Sequence, residues 1–184
     1  PSWIPRAHHS SIIDNNERIY IIGGKDDNYN FLNDVWYSDD YGNNWTQSTS
    51  DASWSLRAHF YPVVDSNNSI YVFGGNSNYT MMNDVWRSDD GGSSWVQVNS
   101  GASWTERSQL TSVIDKNDII YVIGSDEKSD VWYSDDYGVN WNLLTEHFSN
   151  IENLDFYHHS SVITPNGKIY VLGGDWNCKV FLYK

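Results

Sequence analysis

Apolar residues along this chain come in short alternating bursts, and no stretch of useful length carries a helical period. In the first fifty residues, HSSII (9–13), RIYII (18–22), DVWYS (34–38) and WTQS (45–48) predict four strands. The linkers DNNE and DDYGNN supply the Asp, Asn and Gly that backbone reversal favours. The same alternation then returns along the rest of the chain.

RAHHSSIID, RAHFYPVVD, RSQLTSVID and FYHHSSVIT begin at residues 6, 57, 107 and 156. Each leads into an apolar run: RIYIIGG, SIYVFGG, IIYVIGS and KIYVLGG. The first glycines of these runs fall at 23, 74, 124 and 173, a period of about 50 residues. NDVWYS, NDVWRS and SDVWYS follow, each running into an acidic octapeptide: SDDYGNNW (38–45), SDDGGSSW (88–95) and SDDYGVNW (134–141). Nine of the ten tryptophans keep this register, so a ring buried at the same points of each repeat accounts for them without a ligand-stacking cluster. Only Trp176 stands outside it.

Four antiparallel strands per unit of this length are the mark of a β-propeller blade. The run R-x-H, then I-Y-V-x-G-G, then N-D-V-W with a later W resembles the kelch repeat along the whole chain. The octapeptides also resemble the Asp-box of sialidases, S-x-D-x-G-x-x-W. The matching positions are Ser38, Asp40, Gly42 and Trp45; Ser88, Asp90, Gly92 and Trp95; and Ser134, Asp136, Gly138 and Trp141. Two positions depart from the kelch pattern: Ser125 replaces a second glycine, and Phe156 stands where an arginine is expected. The resemblance implies an all-β propeller of four-stranded antiparallel blades, over 6–50, 57–100, 107–145 and 156–184. Three blades are full and the fourth has three strands, about 3.7 in all. Kelch-like rings hold five to seven, so a larger ring is expected, completed by a longer chain or by another subunit.

That frame changes how the acidic residues read. A calcium loop would need further oxygen ligands at fixed spacing, such as a later bidentate Glu, and none recurs. The resemblance implies a hairpin between third and fourth strands instead. There the aspartate accepts turn N–H groups, the glycine takes positive φ and the tryptophan packs inward. No metal and no cofactor is expected. The formal charge of −13 argues against a nucleic-acid or anionic-membrane surface, and no apolar run is long enough to span a bilayer.

Arg6, Arg57 and Arg107 share one repeat position near the propeller axis. They either grip a ligand carboxylate or tie a loop to the neighbouring blade, and their place in the repeat favours the tie. His8, His59 and His158 also recur, with Gln109 in the third unit, a break that speaks against a ring of metal ligands. Cys178 is the single cysteine; a copper-radical oxidase would need it joined to a tyrosine, and a half-buried thiol is the plainer expectation. A sialidase would need a tyrosine–glutamate pair, and no glutamate stands beside a tyrosine in sequence.

Specific function is expected in the connections that vary between repeats. GKDDNYNFLN (24–33), GNSNYTMMN (75–83), SDEKS (125–129) and DWNC (175–178) should share a face with TEHFSNIENLDFY (145–157). Tyr29, Phe31, Tyr79, Met81, Met82 and Trp176 give that face aromatic and flexible apolar groups, although Phe31 and Met82 could equally plug the gap between blades. Sequons at Asn44, Asn67 and Asn78 allow N-glycosylation. The sequence thus predicts a non-catalytic binding or structural module contacting protein or carbohydrate, in an extracellular or cell-surface assembly. The alternative is the propeller of a glycan-active enzyme, sialidase-like or galactose-oxidase-like, with its catalytic residues elsewhere.

Overall fold

A computed structural model describes residues 1–125, 128–147, 158–174 and 180–183. Among them every regular element is a strand, and the strands form four antiparallel blades in sequence order. The first blade has strands Ser10–Ile13, Ile19–Asp26, Phe31–Ser38 and Thr46–Thr49, with Arg6–Ala7 added beside the second. The second uses Val63–Val64, Ile70–Phe73, Val85–Ser88 and Val96–Asn99, and the third Thr111–Ile114, Ile120–Ser125, Lys128–Ser134 and Asn142–Thr145. The fourth pairs Ser160–Ile163, Ile169–Leu172 and Val180–Tyr183. Among the described residues the sheets do not close into a ring.

Alternation along each second strand decides where the core lies. Tyr20 and Ile22 point to one side of the first blade with Val35, and there they meet Trp54, Phe60, Ile70, Val72 and Trp95 of the next unit. Tyr71, Phe73 and Val85 meet Trp104, Leu110, Ile120, Val122 and Trp141 in the same way. The core is therefore a row of blade-to-blade junctions. The first two each contain an edge-to-face tryptophan pair, Trp54–Trp95 and Trp104–Trp141, with ring centroids 5.8 Å apart. The third packs Val113, Ile123 and Val131 against Ile169 and Val171, without a tryptophan. Burying several large apolar side chains stabilises each junction by several times the roughly 1.5–3 kcal/mol of one of them.

The octapeptides make the third-to-fourth-strand turn in all three full blades. In the third, the buried Ser134 hydroxyl donates to Asp136 Oδ1 at 2.9 Å and accepts the Gly138 N–H at 2.9 Å. Asp136 accepts the Asn140 N–H at 2.8 Å, and the Trp141 indole N–H donates to the Gly138 carbonyl at 3.0 Å. Ser38, Asp40, Gly42 and Trp45 repeat these bonds, as do Ser88, Asp90, Gly92 and Trp95. At Gly92 the backbone has φ +82°, and a Cβ would come within 2.7 Å of Val35 on the preceding blade. The turn thus doubles as a packing surface. A second acidic turn lies between first and second strands, where Asp14, Asp65 and Asp115 each accept two main-chain N–H groups. Two of the repeated aspartate positions are thus occupied by backbone donors in every full blade.

Candidate binding face

The three repeat arginines stitch the blades together. Arg57 has its main-chain N–H on the Leu32 carbonyl (3.2 Å) and its carbonyl on the Gly24 N–H (3.0 Å), both in the first blade. Its guanidinium reaches into the second blade, to the Gly74 carbonyl at 3.0 Å and to both oxygens of Asp84 at 2.8 Å. Arg107 repeats the arrangement one blade on, with Met82 and Gly75 behind it and Gly124 and Asp130 ahead. Arg6 likewise binds Gly23 and Asp34. Their side chains are 0%, 0% and 1% exposed, so none is presented to a ligand. The grip on a ligand carboxylate that the sequence allowed at Arg6, Arg57 and Arg107, as binding residues, is therefore corrected to the tie: each fork is filled by a carboxylate of its own repeat. Around Asp130, burial alone would raise the carboxyl pKa, but the Arg107 guanidinium overrides it and holds the group below the usual carboxylate range.

The connections expected as loops at 24–33 and 75–83 are hairpins. Second and third strands of the first blade continue outward to pair Lys25 with Phe31, leaving only residues 27–30 as the tip. Asp26 closes that tip by accepting the Asn30 side-chain amide at 2.9 Å and the N–H groups of Asn30 and Asn28, both at 2.8 Å; the Asn30 amide leads in lowering its pKa, followed by the N–H groups. In the second blade Asn76–Ser77 pairs with Thr80–Met81 around a two-residue turn, with φ of 45° at Asn78 and 70° at Tyr79. Positive φ at both central residues is the turn that matches strand twist, and Asn-Gly is its favoured pair. A tyrosine in the glycine position is strained.

Tyr29, also left-handed at φ 64°, is 82% exposed, and Tyr79 is fully exposed at 100%. Between the two tips lies a cleft of about 240 Å³ lined by Lys25, Tyr29, Phe31, Asn76, Asn78 and Tyr79. The Lys25 ammonium sits 4.3 Å from the centre of the half-buried Phe31 ring. The buried Asn76 Oδ1 has no hydrogen-bond partner among the described residues. Met81 is 44% exposed on the flank of the second hairpin. Met82 is half-buried between blades, its sulfur accepting the Ser55 hydroxyl at 3.4 Å, which fits the plugging role. Trp176, Cys178 and Phe156 lie outside the described residues.

The same face carries a second cavity at the axis. His8, His59, Gln109 and His158 occupy one repeat position and share a left-handed backbone, with φ between 54° and 59°. Main-chain bonds from His59 N–H to the His8 carbonyl (3.2 Å) and from Gln109 N–H to the His59 carbonyl (2.9 Å) link them from blade to blade. These four, with Phe60, Tyr61 and Pro62 among others, line a cavity of about 270 Å³. The His8 and His59 rings stack with centroids 4.1 Å apart. Burial, then the neighbouring His8, Lys25 and His158, push the His59 pKa down to about 4, and burial and Lys25 lower that of His8. Sequence spacing puts these residues in one register, but only their curved backbone brings them to one cavity. No group of three His, Cys, Asp or Glu among the described residues is arranged to hold a metal ion.

The three sequons differ in setting. All three asparagines are exposed, but the Asn44 amide is engaged inside its turn, donating to Asp40 Oδ2 at 2.6 Å. No helix among the described residues is long and apolar enough to cross a membrane.

Four-stranded antiparallel blades, joined by arginine straps and carrying hairpins on one face, define a kelch-type propeller array. Residues 2–174 match the KLHDC2/KLHL20/DRC7 Kelch-repeats domain, and the chain belongs to that family. None of the curated proteins compared with the chain matches it. Kelch repeats generally serve as protein-binding scaffolds.

Proposed function

We propose that the chain is a non-catalytic scaffold that binds a protein partner on its hairpin face, with Tyr29 and Tyr79 as the anchoring side chains. The observation that carries this reading is the pair of left-handed tyrosines, held in strained turns yet left 82% and 100% exposed. Strain kept where it brings no packing gain is the signature of a residue retained for what it touches. Tyrosine also supplies a large, stiff, amphipathic surface that loses little entropy on binding. The test is to replace both tyrosines by glycine and compare the partners recovered from the source cells with and without the change. Retention of every partner by a folded double variant would sink the proposal.

Carbohydrate is the second reading, supported by exposed rings beside the amides of Asn76 and Asn78, which suit stacking and hydroxyl recognition. Binding of the wild type, but not of the double variant, to a glycan array would favour it. We also read the octapeptides as Asp-box hairpins. An extracellular or cell-surface setting is inferred from the exposed sequons at Asn67 and Asn78. A mass loss on enzymatic deglycosylation of the natural protein is the expected result. The unclosed sheets fit a larger ring, completed by further sequence or by another subunit.

A further inference from the structure

The axial cavity is lined by imidazoles and has no Asp or Glu in its wall, although the chain as a whole carries a formal charge of −13. The nearby cations that could be quenched are accounted for. Arg6 and Arg57 are neutralised by Asp34 and Asp84, and Asp26 has its carboxylate turned into its own hairpin tip. Lys25 is different. Among the described residues no carboxylate lies within ion-pair distance of it; it rests on the Phe31 ring, and its strand position opposite Ala7, the residue before His8, lets its charge oppose protonation of His8 and His59.

We propose that this axial cavity is a binding site for a small oxyanion, a carboxylate, sulfate or phosphate group, held by His8 and His59 with Lys25 as the standing charge. The volume of about 270 Å³ is below the usual range for drug-sized ligands and suits a compact group. Neutral imidazoles each offer one N–H donor, and Ser11 adds a hydroxyl at the rim. Around the cavity the charged and titratable neighbours are Lys25, Arg6, His9, His158 and Tyr61; none is a carboxylate that would repel an anion.

Anion binding here is linked to proton uptake. Two stacked imidazolium rings 4.1 Å apart repel each other, and Lys25 adds to that repulsion, so the empty site stays neutral. An oxyanion removes the repulsion and favours the charged rings. By linkage, acidification must then strengthen anion binding. Lys25 also lines the tyrosine cleft, but the other residues of the two sites are distinct, so His59→Gln tests this site without touching that one.

Proton NMR titration of the histidine rings tests the assignment, in chloride against sulfate, phosphate and acetate at equal ionic strength. The expected result is a rise of roughly half a pH unit or more in the His8 and His59 midpoints with an oxyanion, with exposed His147 unmoved. Sulfate should also bind more tightly at pH 4 than at pH 7.5, since the His59 midpoint lies near 4. A shift with acetate as large as with sulfate marks carboxylate as the preferred class; a shift with sulfate or phosphate alone marks a tetrahedral anion. His59→Gln copies the residue that the third repeat carries at the same φ, so the fold should tolerate it while the His8 response shrinks; Lys25→Gln should shrink it too. Midpoints identical in all four salts, an equal movement of His147, or a response untouched by both variants would overturn the site.

Discussion

The guanidinium of Arg57 and the carboxylate of Asp84 meet fork to fork, with both N–O distances at 2.8 Å. The arginine side chain is fully buried and the aspartate is 16% exposed. Removing one partner leaves the other as an unpaired charge in a dry junction. Asp84→Asn should therefore destabilise the chain by about 3–5 kcal/mol. Arg57→Lys should lose much of the same, because an ammonium cannot fill two parallel acceptors. Urea unfolding of the variants measures both, and a change within error for Asp84→Asn would show that the strap is dispensable.

Ser134→Ala removes the acceptor of the buried Gly138 N–H together with the donor to Asp136. The expected loss is about 1–3 kcal/mol. Gly138→Ala should also destabilise, since its Cβ would come within 2.9 Å of Val85 at a φ of +86°. Calcium or chelator should leave the melting temperature of the wild type unchanged. A chelator-induced drop of several degrees would return the octapeptides to the metal-binding reading.

Tyr79→Gly should act in the opposite sense on stability. Glycine relieves the left-handed strain at φ 70° and completes the favoured Asn-Gly turn, a gain of up to roughly 1 kcal/mol. Partner binding should fall at the same time. A variant that melts lower and binds as before would mean that the ring packs usefully in the free protein.

Acid should destabilise the fold in two stages. Residue 59 has an ordinary imidazole pKa near 6.5 when unfolded and about 4 when folded. Between those values the unfolded state binds a proton that the folded state refuses, so stability rises with pH and falls on acidification. His59→Gln should flatten this first stage. The second stage belongs to Asp40, Asp90 and Asp136. At Asp40 the Asn44 N–H leads in lowering the pKa; at Asp90 and Asp136 slight burial opposes the shift, and bonds from Ser94 and Asn140 outweigh it. Their contribution is present above the unfolded value of about 3.8 and vanishes as pH falls through the depressed ones. Melting temperatures between pH 3 and 7.5 resolve the two.

The blades were legible in the sequence because period-two alternation and a fifty-residue repeat report directly on strands and their number. Tryptophan register located the junctions for the same reason. Three things were hidden. The outward run of the first blade's hairpin, Lys25 against Phe31, carries polar residues on both faces and so shows no alternation. The partner of Arg57 lies 27 residues away, a pairing that only the folded junction selects. The cavity shared by His8, His59, Gln109 and His158 depends on how the blades curve, which no local pattern encodes. Tyr29 and Tyr79 stand out in the sequence by their residue type in variable connections, but their strain became visible only in the backbone.

Because Arg57 has its main chain in one blade and its side chain in the next, the repeat in the sequence and the repeat in space are out of phase. A duplication that copies one sequence unit therefore copies half of a junction at each end. Every new copy arrives with its own means of attachment to its neighbour, and an array can grow by whole units without inventing a new interface. A cut between Trp54 and Arg57 would do the reverse, separating a tryptophan from the strap that seats the following blade.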